Sequence, residues 1–148
     1  MKLVKLSLLL LINLWAGSYL LAQNEVVFSE KADEPHYVLI TMTNNRMDFK
    51  DIRAEVTKYV WRQHAADKLS ISHILIGDNR STNAILIESF DNKVHAMKFL
   101  AKLKEKQPDF TQMGLTKDYL VVSTTNYQQI LRYHALKEYI TYFQKNNK

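Results

Sequence analysis

The sequence contains no cysteine, only three glycines and only two prolines among its 148 residues. Without cysteine the chain can form no disulfide, has no thiol nucleophile and cannot carry a lipid on a cysteine behind a leader peptide. The glycines, Gly17, Gly77 and Gly114, are too few for a phosphate-binding loop or a dinucleotide-binding fingerprint. No serine lies in a G-x-S-x-G nucleophile elbow. These absences exclude several common classes of enzyme, and stability must come from packing.

The titratable residues form no catalytic or metal-binding pattern. The five histidines contain no i,i+4 pair; they are His36, His64, His73, His95 and His134. We expect isolated surface or core histidines, and the alternative is that His73 or His95 binds heme or another metal. Four carboxylates occupy positions typical of helix caps and turns, namely Asp48, Asp51, Asp91 and Asp109. The sequence therefore predicts no catalytic residue, no cofactor, no metal and no enzyme activity.

Residues 1–22 predict a secretory signal peptide. Lys2 and Lys5 supply its charged end, residues 6–15 its apolar run, and a cleavage site follows Ala22. The competing interpretation is an uncleaved anchor, but the apolar run is short for a membrane span of about 20 residues. We therefore expect a periplasmic protein without a transmembrane span after cleavage, either in solution or associated with the outer membrane.

Little charge bias remains once this leader is removed. The loss of its two lysines leaves 18 Lys and Arg against 15 Asp and Glu. A lysine-rich stretch, interrupted by Glu105, is typical of a solvated helix face; its members are Lys98, Lys102, Lys104 and Lys106. Because export also separates the chain from nucleic acids, we predict no nucleic-acid partner.

Residues 23–35, QNEVVFSEKADEP, predict a polar tether that leads into one domain over residues 36–148. Alternating or continuous apolar residues predict four strands, at His36–Thr43, Ile71–Ile76, Ala84–Phe90 and Asp118–Ser123. Between them lie two predicted helices, one capped by Asp48 and running to His64, the other capped by Asp91 and spanning Asn92–Gln107. This order predicts an α+β fold, a ferredoxin-like βαββαβ antiparallel sheet with both helices on one face.

Apolar residues at helical spacing predict which helix faces are buried. In the first helix the stripe is Phe49, Ile52, Val56, Tyr59 and Val60, and the remaining, solvated face carries Lys50, Arg53, Lys58 and Arg62. In the second helix the stripe is Val94, Met97, Leu100, Ala101 and Lys104. After the last strand, Asn126 is expected to cap a helix over Tyr127–Tyr133. A second helix is expected over Ala135–Lys145, and its apolar face consists of Leu136, Tyr139, Ile140 and Phe143. Because the strands are apolar on both sides, this C-terminal extension or a second copy of the chain must cover the other sheet face, and we favour the extension.

Four tyrosines of this extension form the candidate interaction surface: Tyr127, Tyr133, Tyr139 and Tyr142. Tyrosine combines an apolar ring with a polar tip and is enriched at protein interfaces. Core packing explains Tyr139 equally well.

Several segments follow the order of a known family: HYVLITM, SISHILIGDN, ILIESFDNKVHAMKFLAKL and YLVVSTTNYQQILRYHALKEYITYFQKN. A motif F-x-[DN]-x-x-x-A-x-x-[FY] covers Phe90–Phe99. With these motifs, the stretch from His36 to Asn146 resembles the C-terminal domain of SprE/PorW-type tetratricopeptide lipoproteins of gliding and type IX secreting bacteria. The resemblance implies an accessory of the type IX secretion or gliding machinery that acts through contacts with envelope proteins, and it supplies no catalytic residues.

The sequence as a whole predicts an exported, non-enzymatic protein-interaction domain of the cell envelope. The alternative is a homodimeric ferredoxin-like barrel, which would bind a small ligand or heme in a pocket between the sheet face and its partner helices.

Overall fold

The computed structural model describes residues 26–43 and 49–147 and shows an α+β architecture around a four-stranded antiparallel sheet. The strands are β1 (His36–Met42), β2 (Ser70–Ile76), β3 (Thr82–Phe90) and β4 (Thr116–Ser123), in the order β2-β3-β1-β4. The α-helices are α1 (Phe49–Gln63), α2 (Lys93–Lys106), α3 (Asp109–Gln112), α4 (Thr124–Tyr133) and α5 (Leu136–Asn146). The predicted signal peptide, the first residues of the predicted tether and the predicted cap Asp48 lie outside the described residues. No helix of the described part has the length and apolarity needed to cross a membrane.

The two central strands, β1 and β3, are buried on both sides. Val38, Leu39 and Ile40 follow one another in β1, and each has no exposed surface. Because neighbouring side chains of a strand point to opposite faces, burial of all three means that both faces of the sheet are covered. The prediction of a central strand that is apolar on both sides is confirmed.

Helices α1 and α2 cover one face. In α1, Phe49 stacks on His73 of β2 with ring centroids 4.8 Å apart. His73 pairs with Ile85, and Ile85 pairs with Ile40, so these residues mark one face of the sheet. The two helices also touch each other, since the rings of Tyr59 in α1 and Phe99 in α2 lie 6.2 Å apart.

The C-terminal helices cover the opposite face. Tyr37 points away from the face of Val38 and Ile40, and its ring lies 5.2 Å from the ring of Tyr127 in α4. The buried apolar side chains of α5 are Leu136, Tyr139 and Phe143. The expectation that the C-terminal extension covers the second face of the sheet is therefore confirmed.

The predicted tether needs correction, because its described residues are attached to the domain. Phe28 packs edge-on against Tyr139, with ring centroids 4.9 Å apart. Ser29 exchanges two hydrogen bonds with Asn126: its amide donates to Oδ1 (3.3 Å), and Nδ2 donates to its carbonyl (2.8 Å). Glu34 accepts hydrogen bonds from the amide (3.0 Å) and hydroxyl (2.9 Å) of Thr125. Polar composition suggested a free segment, but its few anchoring residues bind partners distant in sequence.

The start of α2 also differs from the prediction. Asn92, and not Asp91, caps the helix, because its side chain accepts a hydrogen bond from the amide of His95 (3.0 Å). The buried face consists of Ala96, Phe99, Leu100 and Leu103, whereas Val94 is 63% exposed. Of the predicted stripe, only Leu100 is buried. Phe99 fixes the helix rotation, because its ring packs against Phe90 of β3 at 5.2 Å.

The cap of α4 is Ser123 rather than the predicted Asn126. The Ser123 hydroxyl accepts a hydrogen bond from the amide of Asn126 (3.3 Å), and α4 begins at Thr124. The Asn126 side chain is thereby available to hold Ser29. The cap lies one residue after the predicted position in α2 and three residues before it in α4.

Gly77 sits where β2 turns towards β3, and we predict that replacing it destabilises the fold. Its φ of 80° and ψ of −164° belong to a region that is essentially restricted to glycine. An added Cβ would also lie 3.2 Å from Leu136 Cδ2 and 3.3 Å from Thr82 Oγ1. We expect Gly77→Ala to lower the free energy of unfolding in urea by about 2–3 kcal/mol.

Gly114→Ala is the matched control. Gly114 also has a positive φ, 67°, but no atom lies within 4 Å of the position that an added Cβ would occupy. Gly114→Ala should lower the free energy of unfolding by only about 1 kcal/mol. Equal losses for the two variants would contradict the close approach of α5 to Gly77.

Glu34 generates a pH-dependent prediction. Burial acts to raise its pKa, but hydrogen bonds from Ser123 and Thr125, together with nearby His36, lower the pKa below the ordinary value of 4.5. A lowered pKa means that the carboxylate stabilises the fold above that value, and that this contribution disappears as the pH falls through the folded-state pKa. We expect Glu34→Gln to lower the free energy of unfolding by about 1 kcal/mol at neutral pH.

The difference between Glu34→Gln and the unaltered chain should shrink as the pH falls from 4.5 through the lower folded-state pKa of Glu34, as measured by urea unfolding across a pH series. Asp33→Asn removes a neighbouring exposed carboxylate and serves as the control. A Glu34→Gln deficit that stays constant over the whole series would refute the role of the carboxylate charge.

Candidate functional site

A groove of about 950 Å³ runs along the outer side of α1, next to β2. It is lined by Phe49, Lys50, Arg53, Ala54, Thr57, Lys58, Trp61, Arg62 and His73. All of these except His73 come from α1, where they recur at intervals of three and four residues and so share one helix face. The opposite face of α1 is buried through Ile52, Val56, Tyr59 and Val60, four of the five residues of the predicted stripe. The fifth, Phe49, is half-buried and lines the groove. Core packing thus holds the groove side of the helix in a fixed orientation.

One end of the groove is a stacked pair of rings. Phe49 and His73 lie nearly parallel, with an interplanar angle of 7°. The His73 ring is oriented by a hydrogen bond from Nε2 to Asn83 Oδ1 (2.8 Å). This hydrogen bond fixes the orientation of the ring, so His73 presents a flat ring surface at this end of the groove.

Trp61 forms the other end and is 73% exposed. Between Trp61 and the stacked pair lie the small side chains of Ala54 and Thr57. The Thr57 hydroxyl donates to the carbonyl of Arg53 (2.7 Å), so its polar group is used within the helix. The middle of the groove is consequently shallow and largely apolar, with an aromatic group at either end.

The rim of the groove is positively charged. Its four charged lining residues are all cations: Lys50, Arg53, Lys58 and Arg62. Lys58 pairs with Glu55 at 3.5 Å, whereas Arg53 and Arg62 have no ion-pair partner within the described part of the chain. The sequence predicted these four residues only as a solvated face. The arrangement suits an anionic ligand that also carries an apolar group.

The four tyrosines that were predicted to form an interaction surface do not come together on the surface. Tyr139 is only 2% exposed and its hydroxyl donates to the carbonyl of Val121 (2.7 Å), so it belongs to the core. Burial raises its pKa well above the ordinary tyrosine value. Tyr127 and Tyr142 are half-buried against Tyr37 and Phe28. Of the four, Tyr133 alone is exposed, at 42%, and the Arg132 guanidinium lies 5.3 Å from its ring centroid.

A second cavity of about 460 Å³ lies between the end of α1 and the start of α2. His64 is buried there; its Nδ1 lies 2.9 Å from Asp67 Oδ2, and its Nε2 has no hydrogen-bond partner among the described residues. At the rim, His95 Nδ1 lies 3.5 Å from Asp91 Oδ2. Nowhere in residues 26–43 and 49–147 do three potential metal ligands gather at one point. Both carboxylates of this cavity, Asp67 and Asp91, already lie beside a histidine, and its lining is less apolar than that of the groove, so it is a weaker candidate.

Comparison with protein-family models, with curated proteins and with solved structures found no match for this chain. What the groove binds must therefore be inferred from its shape, its charge and the strand beside it.

Tyr139 provides a test of the corrected assignment. The Tyr139→Phe variant keeps the ring but leaves the carbonyl of Val121 without its hydroxyl donor, so we expect the free energy of unfolding to fall by about 1–2 kcal/mol. Tyr133→Phe removes an exposed hydroxyl and should change it by less than about 0.5 kcal/mol. Urea unfolding of both variants measures the difference. If both variants change the free energy of unfolding by similarly small amounts, the hydrogen bond from the Tyr139 hydroxyl does not stabilise the packing of α5 on β4.

Proposed function

We propose that this chain is an exported, non-enzymatic interaction domain, which binds a segment of another cell-envelope protein in the groove beside α1. The observation that carries the proposal is the 73% exposure of Trp61 on a helix whose opposite face is buried in the core. Tryptophan and arginine are the residues most enriched where a few side chains dominate binding energy. Trp61 lies beside Arg53 and Arg62 in the lining of the same groove.

We also propose that the fold is ferredoxin-like. The strand order β2-β3-β1-β4 supports this assignment, as does the position of α1 between β1 and β2 and of α2 between β3 and β4. Because helices cover both sheet faces here, partners must bind to helix exteriors or sheet edges. The groove is formed by a helix exterior and one residue of the end strand β2.

The narrower proposal, an accessory of the type IX secretion or gliding machinery, rests on the sequence resemblance of residues 36–146. Export to the periplasm rests on the signal-like pattern of residues 1–22. In this proposal the partner is an envelope protein rather than a nucleic acid, and the domain carries no cofactor.

The alternative function, a homodimeric barrel that encloses a small ligand or heme, finds no support in the packing. Such a barrel needs one uncovered sheet face on each copy. Here α4 and α5 cover that face, as the contact of Tyr37 with Tyr127 shows. The groove on α1 lies on the other side of the sheet and is open to solvent.

Site-specific photocrosslinking in intact cells of the source bacterium tests the proposed function. A photoreactive residue placed at Thr57, inside the groove, should crosslink to an envelope protein, and one placed at Val94 should not. Val94 is a suitable control because it is 63% exposed and lies on α2, outside the groove. Crosslinking of equal yield from both positions, or from neither, would contradict the proposal.

Truncation of Trp61 should weaken the interaction without affecting the fold. We expect Trp61→Ala to reduce the crosslinking yield from position 57 by at least about tenfold, the usual loss when a central aromatic residue is removed. Val94→Ala truncates another exposed apolar residue and should leave the yield unchanged. A circular dichroism melt of both variants verifies that the domain stays folded.

A further inference from the structure

We infer that the groove takes an acidic peptide segment in extended conformation, which pairs with the outer edge of β2 and places an apolar side chain between Trp61 and the Phe49–His73 pair. This inference rests on the proposed function and specifies the chemistry of the partner.

The first supporting observation is the state of the β2 edge. β2 is the end strand of the sheet and pairs only with β3 within the described residues. No backbone group elsewhere in that part of the chain bonds to residues 70–76. The outer amides and carbonyls of β2 are therefore available to another strand.

The composition of β2 is the second observation. Its sequence, SISHILI, contains no proline and no charged residue, although natural proteins commonly use both to block edge strands. Leu75 is 51% exposed on this strand. An edge with exposed apolar groups and no blocking residue is suited to pairing with a further strand.

The dimensions of the groove match such a strand. From Phe49 to Trp61 the helix rises by about 18 Å, which equals the length of about five or six extended residues. α1 packs against β2, so a strand added to the β2 edge would run beside the groove. Every second side chain of that strand would then face α1.

The charge of the groove selects among possible occupants. A second copy of this chain paired through β2 would bring a second set of Lys50, Arg53, Lys58 and Arg62 close to the first, and like charges would repel. An acidic peptide would instead gain from Arg53 and Arg62, which have no ion-pair partner in the described structure. A nucleic acid would satisfy these cations but could not use the strand edge. The combined features favour an acidic peptide.

The test measures binding of the full purified chain to labelled synthetic peptides by fluorescence anisotropy. The main probe is a peptide as long as β2 (7 residues), in which glutamate and valine alternate. A lysine–valine peptide tests the charge, and a glutamate–valine peptide with alternate backbone amides methylated tests strand pairing. We expect binding of the main probe, no binding of the lysine peptide and at least about tenfold weaker binding of the methylated peptide.

Hydrogen exchange and variants localise the peptide. The amides of residues 70–76 should exchange more slowly when the main probe is bound. The double variant Arg53→Glu with Arg62→Glu should weaken binding at least about tenfold, because two attractive contacts become repulsive. Lys102→Glu with Lys104→Glu makes the same change of charge on α2 and should have little effect.

Three results would overturn the inference. One is equal binding of the methylated and unmethylated probes, or of a single-stranded oligonucleotide, which would indicate charge attraction alone. Another is self-association of the chain through β2 in sedimentation experiments, with protection of residues 70–76 in the dimer. The third is no binding of the main probe. A failure of this kind leaves the in-cell crosslinking at Thr57 unaffected, so it is distinguishable from failure of the proposed function.

Discussion

The fold depends on one constraint: a four-stranded sheet that is apolar on both faces must be covered on both faces by its own chain. The burial of Val38, Leu39 and Ile40 in succession requires two separate layers above and below β1. α1 and α2 supply one layer, and α4 and α5 supply the other. The N-terminal segment then fixes the second layer in place, since Phe28 packs on Tyr139 and Ser29 bonds to Asn126. Because the chain has no cysteine, non-covalent contacts such as these must hold the N-terminal segment to the second layer.

The local periodicity of apolar residues was sufficient to predict the positions of most of the strands and of α1. The strands β1 and β2 occur within one residue of their predicted bounds, because continuous apolar runs leave little freedom in placing a strand. The failures have a common origin in contacts between distant parts of the chain. Glu34 and Thr125 are 91 residues apart, and no local pattern shows that a polar lead-in will bind the start of a helix. The predicted buried face of α2 was wrong for the same reason, because the rotation of the helix depends on the packing of Phe99 against Phe90 of β3.

The candidate site could be predicted only in part. The cations Arg53 and Arg62 were recognised as exposed from the helical phase of α1. The same helical phase places Trp61 on the exposed side of α1, three residues after Lys58, but the sequence alone does not show that no other part of the described chain covers its ring. The sequence also does not show that His73 lines the groove, because its position depends on the pairing of β2 with β3 and on the stacking of Phe49. The tyrosines of the C-terminal helices drew attention by composition, but most of their surface is used to hold the second layer to the sheet.

The two edges of the sheet are treated differently, and this difference points to β2 as the functional edge. At the β4 edge, the hydroxyl of Tyr139 donates to the carbonyl of Val121, and the next residues continue directly into α4. One carbonyl of β4 thereby has a partner from α5. At the β2 edge, the described chain provides no comparable partner, and the neighbouring helix adds cations and an exposed tryptophan. An uncovered apolar edge carries a risk of aggregation, so its retention beside a groove is best explained by a partner that covers it. Because the groove is cationic, that partner pairs more favourably when its strand is acidic.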